Sequence, residues 1–155
     1  MSCLLLPPVP ASVGAARRWA APLLPPDLPP DLRDSVVLVL SELLTNAVAL
    51  TTEGRAAAAE DIEVEVFVDP ADGHVTVAVT DPSDQPLPPA PVAVEAGADH
   101  GRGLLLLDAL AHSHGWSPRA CGGKSVWAQF RRRAAAPRRN GPRRAAAQPA
   151  GCACA

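Results

Sequence analysis

The sequence predicts a two-layer α/β sandwich, a mixed but mostly antiparallel sheet with helices gathered on one face. Three observations predict it. Apolar residues recur at helical spacing through residues 32–50. The period then changes to two in residues 62–68 and 74–80, on either side of the turn Pro70-Ala71-Asp72-Gly73. A further helical run and a further alternating run follow after residue 101, so the order is helix, helix, strand, strand, loop, helix, strand, strand.

Taken in order, residues 1–11 read as a Pro-rich lead-in. Residues 12–24 hold a short helix with Val13, Ala16, Trp19 and Ala20 on one face, ended or kinked at Pro22. Residues 25–31 are a rigid connector. Asp31 is a suitable N-cap for the long helix, whose apolar face is Val36, Val37, Leu40, Leu43, Leu44, Ala47 and Val48. Thr51, Thr52 and Gly54 are expected to stop it. Ile62, Val64, Val66 and Val68 make one side of the first hairpin strand, and Val75, Val77 and Val79 one side of the second. Residues 82–100 contain five prolines and no period, so they read as a long loop of the kind that carries function. A helix runs from Gly101-Arg102-Gly103 to about His114, with Gly115 as C-cap. A third strand begins at Trp116. The turn Cys121-Gly122-Gly123 leads into the last strand, Lys124 to Arg131. The domain is expected to span 12–132, and 133–155 to be a disordered Arg/Ala/Pro tail.

Composition narrows the function classes. The chain has 155 residues and is 48% hydrophobic, enough for one core and too apolar for wholesale disorder. Residues 1–130 carry 7 basic and 16 acidic side chains, a charge of −9, whereas 131–155 carry seven arginines and no acid. An acidic body without tail aromatics argues against specific nucleic-acid recognition. No stretch approaches ~18 uninterrupted apolar residues, so no membrane contact is expected. Met1 to Pro10 lacks Lys and Arg and holds three prolines, which makes a poor secretory signal. Cys3, Cys121, Cys152 and Cys154 form no CxxC pair, so a zinc site is not expected, and a reduced cytoplasmic setting fits. The ending Cys152-Ala153-Cys154-Ala155 has the outline of a prenylation box, but its middle residues are small rather than aliphatic; it reads as a tail that happens to end this way.

Four clusters carry candidate chemistry. Glu42 and Asn46 stand one helical turn apart in Ser41-Glu42-Leu43-Leu44-Thr45-Asn46-Ala47. An amide oxygen can ligate Mg²⁺, and a carboxylate can deprotonate a hydroxyl. The same pair is equally the polar outer face of an amphipathic helix. Asp81 ends a Val-rich strand, where a carboxylate can accept from an exocyclic amine or simply begin an Asp-Pro turn. Gly101-Arg102-Gly103 opens a helix, an arrangement that favours anions or a plain loop-to-helix junction. Lys124 and Ser125, after Gly122-Gly123, can meet a phosphate or just follow a Gly-Gly turn.

The order and spacing of these clusters, Glu-x-x-x-Asn, strand-end Asp, long loop, Gly-Arg-Gly-Leu and Gly-Lys-Ser, resemble the GHKL ATPase superfamily. SELLTNAV, GRGLLLLDALA and GGKSVWAQF look like the small actinobacterial ATP-binding proteins akin to anti-sigma-factor serine/threonine kinases. The resemblance covers about residues 12–131. It implies a Bergerat-type fold with ATP between the long helix and loop 82–100, which would act as a lid. It implies that Asn46 holds Mg²⁺, that Glu42 is the catalytic base and that Asp81 reads adenine. Gly101, Arg102, Gly103 and Leu104 would cradle phosphates, with Lys124 and Ser125 near the nucleotide. It further implies phosphate transfer to a Ser or Thr of a small anti-anti-sigma-like antagonist, sequestration of a sigma factor, and a homodimer. No dimerisation helix with a phosphoacceptor His fits in the first 30 residues, which disfavours a histidine kinase. Two departures stand out. The family's Asp-x-Gly-x-Gly box is Asp81-Pro82-Ser83-Asp84-Gln85 here, and Ala49 and Leu50 stand where relatives carry a basic or aromatic residue. These leave open a second reading, a non-catalytic partner-switching module on the same fold.

Overall fold

The computed structural model describes residues 1–53, 60–85 and 102–131. In chain order the elements are β1 (Ser2–Leu6), α1 (Ala11–Ala20), a 3₁₀ turn (Ala21–Leu23), α2 (Pro30–Glu53), β2 (Ile62–Val68), β3 (Val75–Asp81), α3 (Arg102–Leu110), β4 (Ser113–Pro118) and β5 (Lys124–Phe130). The five strands form one sheet in the order β1-β2-β3-β5-β4. Every pair is antiparallel, so the sheet is not mixed. The α/β class and the two-layer arrangement agree with the sequence.

Period-two alternation sends one face of each central strand onto the helices. Ile62, Val64 and Val66 of β2, Val75, Val77 and Val79 of β3, and Val126, Ala128 and Phe130 of β5 are buried there. They meet Val36, Val39, Leu40, Leu43, Leu44, Ala47 and Val48 of α2, with Ala16 and Ala20 of α1 and Leu107 of α3 around them. Each such side chain contributes about 1.5–3 kcal/mol by leaving water. By length and mean hydropathy, 1.6 over Pro30–Thr52, α2 would pass for a membrane span, which qualifies the sequence reading. Half of that window is buried inside the protein, as befits a core helix.

Four expectations are corrected. The lead-in is not loose: Ser2–Leu6 pair with β2 in register from Ser2 with Val66 to Leu6 with Ile62. The Ser12 hydroxyl then donates to the Pro7 carbonyl at 2.7 Å and secures the turn into α1. Asp31 is not an N-cap, because α2 begins at Pro30 and Asp31 lies in its first turn. There proline lacks only an N–H that no helical carbonyl would accept. Thr51 and Thr52 do not stop α2. The helix runs on through them to Glu53, and their hydroxyls donate to the Ala47 and Val48 carbonyls at 2.8 and 2.9 Å instead of competing for the backbone elsewhere. Finally, α3 ends at Leu110 and Gly115 caps nothing. The His112 N–H donates to the Gln129 carbonyl at 2.8 Å and draws the chain into β4. Gly115 lies opposite Trp127, and a Cβ there would stand 2.8 Å from the indole.

The Pro-rich connector is pinned rather than free. The Arg33 guanidinium donates to the Ala21 carbonyl at 3.0 Å and to the Pro25 carbonyl at 2.6 Å. The lid expected at 82–100 falls mostly outside the described residues, as do Gly101 and the tail from residue 132.

Candidate functional site

The site is assembled where the middle of α2 crosses the ends of β3 and β5. Asn46 is half-buried on α2 and has no side-chain hydrogen-bond partner among the described residues. Glu42, one turn earlier, is also half-buried and likewise unpartnered among them. Asp81 ends β3 and is 3% exposed; Lys124 begins β5 directly opposite and is 1% exposed.

These two buried charges form an ion pair. The Lys124 ammonium donates to Asp81 Oδ1 at 2.9 Å and to the Ser83 carbonyl at 3.2 Å. The same Oδ1 accepts the Ser83 N–H at 2.9 Å, closing an Asx turn. Asp84 accepts the Gly123 N–H at 2.7 Å and ties this turn to the one that precedes β5. Gly123 has φ +78°, and a Cβ on it would overlap the Asp81 carbonyl oxygen. The turn can therefore approach β3 closely only with glycine at this position. The segment that replaces the family's glycine box thus folds as a clasp around the lysine.

Asn46, Leu50, Val79 and Val126 join Asp81 and Lys124 around a cavity of about 10 Å³. Apolar walls beside a buried carboxylate and an amide with no partner among the described residues have the chemical character for a purine base and a hydrated cation, although the cavity as it stands has room for neither. Mg²⁺ keeps several waters and takes few protein ligands, so Asn46 fits it without a carboxylate cluster. A larger cleft of about 700 Å³ lies at the other end of α2, between Asp31, Leu32, Ser35 and the end of α3. It shares none of its lining with the Asn46–Asp81 pocket and brings together none of the predicted residues.

The structure thus brings Asn46, Asp81 and Lys124 to one pocket, with Glu42 a turn away. Arg102, Gly103 and Leu104 form the first turn of α3, which packs on α2. Lys124 lines the pocket with its charge already paired to Asp81. Ser125 is not brought to the site. It pairs with Thr80 in register and points to the opposite face of the sheet from Lys124, because adjacent strand residues alternate. The sequence analysis missed the Asp81–Lys124 pair and Asp84. Signals for both were present: an Asp-Pro-Ser-Asp run suited to an Asx turn, and a lysine opening an apolar strand.

The histidine kinase-like ATPase domain family matches residues 6–130, most of the chain and every described element from the end of β1 to β5. The chain belongs to that family. No curated protein matches the sequence. The membership supports ATP binding.

Proposed function

We propose that this ATPase domain is a Mg·ATP-binding regulatory protein that acts in the cytoplasm as a serine/threonine kinase of the anti-sigma-factor type. One observation carries the reading: Asn46, a half-buried amide with no partner among the described residues, and Asp81, a buried carboxylate, line one apolar-walled pocket in a chain of this family. Asp81 accepts from the adenine amine. The Asn46 oxygen ligates the cation, which when bound offsets charge on the phosphates. Glu42 takes the proton from the hydroxyl of an acceptor Ser or Thr. Arg102 donates to the moving phosphoryl group, since Lys124 is engaged at the base end. The acceptor is a small antagonist protein, and a sigma factor is the sequestered partner.

The test is calorimetric titration with ATP, with and without Mg²⁺, followed by transfer assays on a Ser/Thr acceptor. Asn46→Asp should weaken Mg·ATP binding at least about tenfold, because the ligand changes charge and its donor is lost. Glu42→Ala should leave affinity within a few-fold yet abolish transfer, since a base acts mainly in the transition state. A wild type that binds ATP without transferring it, with Glu42→Ala inert, would favour the partner-switching module. Ala49 and the closed clasp at Asp81 favour that second reading.

A further inference from the structure

The pocket contains a side chain that a nucleotide must evict. Lys124 is among the largest fully buried side chains described, and it lines the pocket between Asp81 and the apolar walls. About 10 Å³ of free volume remains, room for a single water-sized sphere and far too little for a purine. Its ammonium sits 2.9 Å from Asp81, where an amine of a base would donate. Ser83 and Asp84 hold the arrangement closed, through the Ser83 carbonyl on the ammonium and the Asp84 carboxylate on the Gly123 N–H.

We propose that Lys124 is an internal competitor for the base subsite, so that the Asp81–Lys124 pair and a bound adenine are mutually exclusive. The inference rests on the reading of Asp81 as the adenine acceptor and adds what determines affinity there. The chemistry is substitution of one donor for another at a single acceptor: the lysine ammonium leaves Asp81 and the exocyclic amine of the base arrives. A buried carboxylate is costly without donors, and the base amine would replace the donor that the lysine withdraws, beside the Ser83 N–H that remains. Only the fraction of molecules with the lysine swung out is competent to bind, and the apparent Kd rises by the inverse of that fraction. The lysine therefore sets a threshold concentration for nucleotide. A phosphate role for Lys124 predicts the reverse dependence, because its removal would then weaken binding through the phosphates alone.

The sequence offers an unusually clean assay, because Lys124 is its sole lysine. Acetylation of the full-length protein with an N-hydroxysuccinimide ester, read by peptide mass spectrometry, reports on Lys124 apart from the chain amine. In the free protein Lys124 should react slowly. Saturating adenosine or Mg·ATP should raise its rate several-fold as the ammonium is displaced. An unchanged or reduced rate would overturn the proposal, and this wild-type experiment does not depend on a variant folding. Calorimetry on Lys124→Ala completes the test. Adenosine and Mg·ATP should both bind about tenfold more tightly or better, by similar factors. Loss of Mg·ATP affinity with adenosine unaffected would make Lys124 a phosphate ligand and overturn the competition. If wild type binds nucleotide but neither result appears, the competition alone fails. If neither wild type nor Lys124→Ala binds any nucleotide, the proposed function fails with it.

Discussion

Single residues decide the geometry of the site more than their chemical classes suggest. Gly123 is the clearest case. Its φ of +78° and its contact with the Asp81 carbonyl leave no room for a side chain. Gly123→Ala should cost about 1–3 kcal/mol from backbone strain alone, seen as a lower denaturation midpoint. An unchanged midpoint would mean that the turn is free to move away from β3. Cys3 offers a separate test on the outer face of the sheet. Its thiol donates to the Glu63 carboxylate at 3.1 Å, and this hydrogen bond, with slight desolvation and the Glu63 and Glu65 charges, holds its pKa above the ordinary thiol value. Only the thiolate is alkylated. Glu63→Gln removes the main cause, so Cys3 should react faster with iodoacetamide at pH 8. An equal rate would show that the hydrogen bond does not govern the thiol.

At the scale of elements, α2 does two jobs on one stretch of chain. Leu40, Leu43, Leu44 and Ala47 bury against the sheet while Asn46 lines the pocket from the same turns, with Glu42 one turn before it. Leu44→Ala should cost about 2–5 kcal/mol, measured by denaturant unfolding, and should also loosen nucleotide binding by shifting Asn46. Leu6→Asp tests β1, because a carboxylate at this buried strand end should destabilise by several kcal/mol, whereas the same change in a loose lead-in would be nearly neutral. The difference in legibility between these two elements is physical. The α2 signal is local, a helical period summed over many residues, and the β2–β3 hairpin is local too. The β1 signal is not: Cys3-Leu4-Leu5-Leu6 has no alternation, prolines follow it, and its partner lies about sixty residues away. Asn46, Asp81 and Glu42 could be singled out from the sequence because each falls on an element whose face is fixed by period. Ser125, beside an inward lysine in a strand, has to point outward, away from the pocket that Lys124 lines. The ion pair across the β3–β5 register needed a strand order that local sequence does not carry.

For the whole molecule, the family match and the core end together near Phe130, with the acidic body before it and the arginines after. Residues beyond 133 have no apolar period with which to offset an ordering cost of about 1–2 kcal/mol per residue. Truncation at Ala134 should therefore leave Tm within about 2 °C of wild type by calorimetry. A larger fall would show that the arginines pack on the −9 body, and its dependence on salt would confirm the charge pairing.

The edge position of β1 also bears on how the chain is made. Its partner β2 is complete only at residue 68, some sixty residues after β1 leaves the ribosome. At about 5–20 residues per second, that interval lasts roughly 3–12 s. Throughout it, Leu4, Leu5 and Leu6 have no strand to pair with, and neither α1 nor α2 has a sheet to cover. The sheet can first close when the β2–β3 hairpin emerges, and β5 must follow before β3 has both neighbours. The apolar run Leu4-Leu5-Leu6 thus stays unpaired for seconds during synthesis, and the yield on expression should respond to translation speed and temperature more than the final stability would suggest.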